Sequence, residues 1–462
     1  LQAGSKKSDP MTPTERRAAF GLAGIYGFRM LGLFLILPVF ALYTEHLEGA
    51  TPLLIGLAIG AYGLTQAILQ LPFGLLSDRI GRKPVIFGGL LLFAIGSVVA
   101  ALADDIWLII IGRAIQGSGA VAAAVMALAA DLTRDSQRTK AMATIGMTIG
   151  TAFALSLVAG PFIDAYIGIS GIFWLTTVLA VLGMLVLMLV VPTPVSQHLH
   201  RDAQPVPAMF KRVLGSGELL RLDFGIFSLH LILTAMFLAM PLLLRDLGLP
   251  VQQHSLLYLP VLLLSVGAMV PFIIMAEKHG KMKTVFSGAV ATILVALLLM
   301  YFFPTGYWLV GLFLLLFFSG FNLLESTLPS LISKVAPADA KGTAMGVYST
   351  SQFMGGFVGG VAGGWVHQQF GYVTVFLAAA GLAVVWLGIA LTMRTPGQYS
   401  SRVLAIQARD REQSARLVSQ LSALEGVVEA VVIAGEQVAY LKVDRKKLNE
   451  SELEAVLAAG SS

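Results

Sequence analysis

GLLSDRIGRK, residues 74–83, is a short polar stretch set between two long apolar runs. The simplest reading is a polar loop joining two hydrophobic helices. Its tail, Asp78-Arg79-Ile80-Gly81-Arg82, is too dense in charge for an ordinary tight turn. Gly81 supplies the positive φ that a sharp reversal needs. Asp78 suits the exposed N-terminus of a helix, where free N–H groups and the dipole both favour an anion. Arg82 offers a planar fork of donors to a carboxylate on a neighbouring helix.

The surrounding composition fixes the solvent. The chain has 462 residues, 56% hydrophobic and 12% charged, with mean hydropathy +0.81. Soluble proteins carry roughly 25% charged residues, so this is a polytopic membrane protein. Cysteine is absent, which excludes disulfides, iron–sulfur clusters and thiolate zinc sites. A bilayer core needs about 20 apolar residues per helix. Twelve such runs lie near 18–43, 53–76, 84–103, 106–130, 141–165, 171–191, 223–245, 255–276, 284–303, 307–329, 342–366 and 372–393. No cleavable signal is expected, since the first run is long enough to remain as a helix. Residues 1–15 form a polar arm, of which Leu1–Pro10 precedes Met11 and is set aside from the fold.

Lysine and arginine set the orientation. The N-terminal arm and the loops after even-numbered runs hold 19 of them, and the loops after odd-numbered runs hold one, Arg245. Both termini are therefore expected in the cytoplasm. The chain also repeats itself. Pro72-Phe73 and Asp78-Arg79-Ile80-Gly81-Arg82 recur as Pro271-Phe272 and Glu277-Lys278-His279-Gly280-Lys281, with every spacing kept. Arg138-Thr139-Lys140-Ala141-Met142 likewise faces Lys341-Gly342-Thr343-Ala344-Met345. Two bundles of six helices, 16–191 and 223–393, follow, joined by a polar linker at 192–222.

The opening stretch resembles the G-x-L-x-D-R-x-G-R-K signature of the major facilitator superfamily, matched at Gly74, Leu76, Asp78, Arg79, Gly81, Arg82 and Lys83. The resemblance implies an all-α fold of twelve membrane-spanning helices in two bundles that rock about a midplane cavity. It pairs Arg82 with Asp131. Asp78 is then expected to cap the helix starting near Gly342-Thr343, as a latch on the cytoplasmic face. The second copy, Glu277, Lys278, Gly280 and Lys281, is expected to be weaker, because Lys281 lacks the planar fork and Met282 stands where Lys83 does.

Ionisable side chains inside apolar runs are costly and mark function. Arg29, Arg113, His230 and Glu325 fall on the first, fourth, seventh and tenth runs, which the resemblance places around the cavity. Gln66, Gln70, Gln116, Asn322 and Gln352 add hydrogen-bonding capacity. The stretch Arg113-Ala114-Ile115-Gln116-Gly117-Ser118-Gly119 resembles a second signature, associated with proton coupling in drug–proton antiporters. A third is half present: Gly160-Pro161 is followed by Phe162-Ile163-Asp164 instead of paired glycines. Glu325 and His230 lie at nearly equal depth, and Glu325 is the candidate proton carrier. The glycines from Gly355 to Gly364 are read as a tight packing face.

After a short linker at 394–401 the composition changes. Residues 402–462 read as strand (Arg402–Ile406), helix (Glu412–Leu424), strand (Val427–Ile433), strand (Gln437–Val443) and helix (Ser451–Leu457), a βαββα order and so a small ferredoxin-like α+β domain. It holds 8 basic and 9 acidic residues and one aromatic, Tyr440, which argues against nucleic acid. Its first loop, Ala408–Gln413, lacks the paired cysteines of metal-handling relatives. Nucleotide loops, metal clusters and nucleophile triads are missing from the sequence, so no enzyme activity, cofactor or metal is expected. The expected function is a monomeric proton-coupled antiporter of a bacterial inner membrane that exports small amphipathic molecules or drugs. A symporter or uniporter for a small polar metabolite, or a sensor whose small domain reads a cytoplasmic ligand, are the alternatives.

Overall fold

The computed structural model describes residues 10–44, 47–194, 206–394, 399–406, 411–433, 437–444 and 447–459. The outer part of the polar arm, the middle of the first linker at 195–205, half of the second linker at 395–398 and loop residues 408–410 lie outside them.

Helix α1 (Pro13–Phe34) starts with a capping box. Thr12 accepts from the Glu15 amide at 3.2 Å, and Glu15 accepts from the Thr12 amide at 2.8 Å. The first apolar run is not one helix. It breaks over Leu35–Val39, where Pro38 withholds a donor, and resumes as α2 (Phe40–Thr44). The stretch read as a polar loop is almost wholly helical as well. Helix α3 (Pro52–Ile80) runs through Asp78 and Arg79, and α4 (Arg82–Ala101) begins at Arg82. Gly81 alone separates them, at φ 102°. Without a Cβ one residue suffices for the reversal, and the charges become helix-end side chains.

The fourth span is α5 (Ile106–Ser118), capped by Asp105 on the Leu108 amide at 3.0 Å, and α6 (Ala122–Asp131), with a break at Gly119. Helix α7 (Asp135–Leu189) holds two spans divided at Gly168, φ 63° and ψ 179°. Helix α8 (Phe210–Leu214) occupies the linker, and α9 (Gly217–Asp246) starts inside the stretch read as linker. Helices α10 (His254–Lys278), α11 (Met282–Phe302), α12 (Tyr307–Val335), α13 (Lys341–Phe370) and α14 (Tyr372–Leu391) complete the membrane part. Among the described residues nine helical stretches are long and apolar enough to cross a membrane, with α5–α6 as one; taking α7 as two and adding α1–α2 and α13 gives the twelve runs read from the sequence.

Two compact units form. One comprises the described residues of 1–198, 234–260 and 356–375; the other those of 199–233, 261–355 and 376–462. In the first, α13 lies directly on α3. A Cβ on Gly56 would fall 2.0 Å from the Gly360 carbonyl, and one on Gly364 would fall 2.5 Å from the Pro52 carbonyl. The glycine face expected on this helix is thus a backbone contact.

In the second unit the chain ends in β1 (Tyr399–Ala405), α15 (Arg411–Ala423), β2 (Val427–Ile433), β3 (Val438–Asp444) and α16 (Glu450–Ala459). The sheet is antiparallel in the order β1-β3-β2, the ferredoxin-like arrangement expected. Leu417, Leu421 and Leu453 pack with Ala439, Leu441 and Val443 on one sheet face. On the other face, the cross-strand pair Glu429 and Lys442 grips the end of α12. Lys442 donates to the Val335 and Ala336 carbonyls at 3.1 and 3.2 Å, and Glu429 accepts from the Ala338 amide at 3.2 Å. Arg212 of α8 bridges Asp339 (2.9 Å) and Glu429 (2.8 Å).

Candidate functional site

The helix ends around Gly81 carry the first cluster. Arg82 is buried and its Nε lies 3.2 Å from Asp131 Oδ2 at the end of α6. Its Nη1 donates to Ser77 Oγ at 2.7 Å and to the Asp78 carboxylate one turn back. Gly74 lets α6 approach, since a Cβ there would lie 3.1 Å from that of Ala123. Lys83 donates to the Val191 carbonyl at 2.6 Å, and Arg79 is exposed. In this structure Asp78 is therefore turned onto Arg82. In the second unit the Thr343 hydroxyl accepts from the Val206 amide at 2.8 Å.

The second copy is built differently. Three residues, His279–Lys281, separate α10 from α11, with Gly280 at φ 68°. Glu277 accepts from Lys334 of α12 at 2.8 Å and from Ser330 at 3.1 Å, while Lys278 and Lys281 are exposed.

Within the first unit Arg29 and Arg113 are almost fully buried and flank one ring. Their guanidinium carbons lie 5.7 and 5.1 Å from the Tyr62 centroid. Arg29 donates to Gln66 at 2.6 Å. Arg113 donates to Gln116 at 2.8 Å, and Gln116 donates to Ser97 at 2.7 Å. Gln66 in turn reaches Gln70 at 3.4 Å. Both cations are thus held by amide oxygens and aromatic faces.

Within the second unit the structure brings His230, Glu325 and Gln352 together. Gln352 Nε2 lies 2.8 Å from His230 Nε2 and 3.4 Å from Glu325 Oε1. His230 and Glu325 stand 4.0 Å apart, both half-buried. Among the described residues no lysine or arginine pairs with Glu325. Both lie deeper than the sequence boundaries imply, because α9 starts at Gly217 and α12 continues to Val335. Asn322 does not join them: it donates to Ser265 at 2.9 Å and ties α12 to α10. Sequence reading missed Asp223, 5% exposed on α9. It sits at the margin of an apolar run, where a charge attracts no notice, and the available signal was its seven-residue spacing from His230.

Residues 22–360 match the Major Facilitator Superfamily and residues 406–459 match the YajR YAM domain. The chain belongs to the major facilitator superfamily: it is a membrane transporter, not an enzyme. It is 49% identical over 447 residues to inner membrane transport protein YajR of Escherichia coli (strain K12), covering 97% of this chain and 98% of that one. Multidrug resistance protein MdtH of Aeromonas salmonicida (strain A449) is 26% identical, over 73% of this chain and 85% of its own. Among solved structures, the human organic anion transporter MFSD10 has the same fold, with TM-score 0.61 at 19% identity over 82% of this chain and 100% of that one.

Proposed function

We propose that this transporter is a proton-coupled antiporter that exports small amphipathic molecules by alternating access. Its place is a bacterial inner membrane, with both termini cytoplasmic, and it works as a monomer. The His230–Gln352–Glu325 cluster carries this reading. Carboxyl and imidazole side chains set inside membrane helices are the usual parts of a proton relay. A merely structural ion pair would be closed at hydrogen-bond distance, whereas here a neutral amide stands between the two groups. A proton on Glu325 changes what Gln352 and His230 can donate and accept, so it biases the packing of α9, α12 and α13. Such a ligand shifts a conformational balance only by its differential affinity for the two states. The kinship with MdtH supports export over uptake.

The test is Glu325→Gln in proteoliposomes, with Hoechst 33342 as probe and an imposed pH gradient. Gln keeps the shape of the protonated acid, so dye binding and melting temperature should survive while pH-driven accumulation is lost. Retained pH-driven accumulation sinks the reading. The direction of proton flux separates antiport from symport.

A further inference from the structure

The start of α13 is covered by the linker. Pro207 restricts the residue before it to extended backbone, and Val206 sits at φ −113° and ψ 116°. In that conformation the N–H and C=O of one residue point to the same side. Both meet the hydroxyl of Thr343, the third residue of α13. The Val206 amide donates to Thr343 Oγ1 at 2.8 Å, and the hydroxyl donates to the Val206 carbonyl at 3.4 Å. A threonine hydroxyl has one proton to give and lone pairs to accept with, so Val206 engages both functions. Thr343 is fully buried.

Beyond one turn of 3-10 helix, Pro207–Met209, Arg212 of α8 fastens the same segment a second time. Its Nη1 donates to Asp339 at 2.9 Å, in the turn between α12 and α13. Its Nη2 donates to Glu429 of β2 at 2.8 Å. Asp339 is 5% exposed, and Val213 beside Arg212 is buried. Residues 206–213 thus lie along the turn between α12 and α13 with a tie at each end. Neither tie is strong. Val206 holds by two neutral hydrogen bonds, each worth about a fivefold factor in an equilibrium constant. Arg212 is half-exposed, where ion pairs add little.

Asp78 is the residue expected at this same helix start, yet Asp78 is bound to Arg82 and Thr343 to Val206. One helix start cannot take both, since Thr343 has no exposed surface left. We propose that residues 206–213 are a strap that competes with Asp78 for the start of α13, held down in part by the small domain through Glu429. With the strap seated, the latch is released. When the strap lifts, Asp78 caps the freed amides and the Gly81 side closes. Anything that draws Glu429 off Arg212 loosens the strap and favours the closed latch. The strap needs alternating access but not proton coupling at Glu325.

The test uses the full chain in nanodiscs, with single cysteines near the Gly81 side labelled by a maleimide. Thr343→Val keeps the shape and the backbone amides but offers Val206 no hydroxyl. Arg212→Gln frees the segment from the Asp339 and Glu429 carboxylates. Each should lower the open-to-closed ratio read from labelling by about fivefold. In an Asp78→Ala background, where the competitor is gone, neither should change it. Melting temperatures near wild type exclude a folding defect, and if Thr343→Val fails to fold, Arg212→Gln decides. Wild-type labelling in either folded variant overturns the strap. A fall that persists in Asp78→Ala overturns the competition, because the change then does not involve the latch.

Discussion

Lys334 binds Glu277 with the signs reversed from the pair Arg82 and Asp131. In the first half the cation sits beside Gly81 and the anion on the following helix pair; in the second the anion ends α10 and the cation lies on α12. The environments differ too. Arg82 and Asp131 side chains are 3% and 0% exposed, while that of Glu277 is 44% exposed. Arg82→Ala, which leaves a buried carboxylate without its guanidinium, should destabilise the protein by about 3–5 kcal/mol. Glu277→Gln should cost about 0–1 kcal/mol. Thermal unfolding of both variants in one detergent checks the ordering, and equal losses would contradict it.

Asp78→Asn is the gentler probe of the latch. It keeps Arg82 on Asp131 and removes one charge. The expected result is a shift of population toward the state open on the Gly81 side, without loss of folding. The chain has no cysteine, so single cysteines placed near that end report its accessibility without background. Unchanged labelling in Asp78→Asn would refute the latch.

Glu15 should make stability fall in acid. Its hydrogen bonds from the Arg134 side chain, at 2.9 and 3.1 Å, outweigh burial and hold the carboxyl down to about 2. A depressed folded-state value means the stabilisation is complete above the ordinary carboxyl range and is lost as pH falls from about 4.5 toward 2. With Arg134 half-exposed, the screened contribution is about 1–2 kcal/mol. Glu15→Gln keeps the helix cap but removes the charge. Its melting temperature should lie below wild type at neutral pH and converge with it near the acid limit.

Glu429 and Lys442 should behave as one clamp. Glu429→Ala releases both Arg212 and the Ala338 amide, at about 1–3 kcal/mol for charge-assisted contacts. Hydrogen exchange at residues 336–340 should accelerate in that variant and in Lys442→Met. Truncation after Met393 is expected to keep part of the transport activity, because the described bonds of the small domain go to Arg212 on α8 and to residues 335–338 at the end of α12. A stable, inserted truncation with none would show obligate coupling.

Gly56→Ala should be poorly tolerated. The added methyl would overlap the Gly360 carbonyl, and overpacking of this kind costs about 1–3 kcal/mol. Gly146→Ala, which has no atom within 4 Å of the new methyl, serves as the control and should be neutral or slightly stabilising.

Apolar length, charge bias and the repeated polar landmarks made the architecture legible, because the bilayer leaves a spanning chain few alternatives. The breaks were harder. Pro38 and Gly119 announce interrupted helices, but an apolar run hides them, since hydrophobicity continues across the break. The reversal at Gly81 was visible as a glycine, though not that one residue would do the work of a loop. Glu325 and His230 stood out as charges in oil, and their meeting followed from equal depth. Gln352 stood out as a hydrogen-bonding group, but not as the amide between His230 and Glu325, because a polar uncharged residue on a glycine-rich helix shows no partner until the facing helix is known.

Among the described residues three reversals consist of a single glycine: Gly81 between α3 and α4, Gly168 within α7, and Gly371 between α13 and α14. A connection of one residue has no slack. The helices it joins cannot slide past each other along their axes, and tilting one drags the end of the other with it. The facing ends of each joined pair therefore stay one residue apart, whatever tilt either helix takes. The same stiffness limits engineering: an epitope or fluorophore inserted at any of the three would unhinge a pair. Such insertions belong in the longer turns at 102–105 or 303–306, where the chain has length to spare.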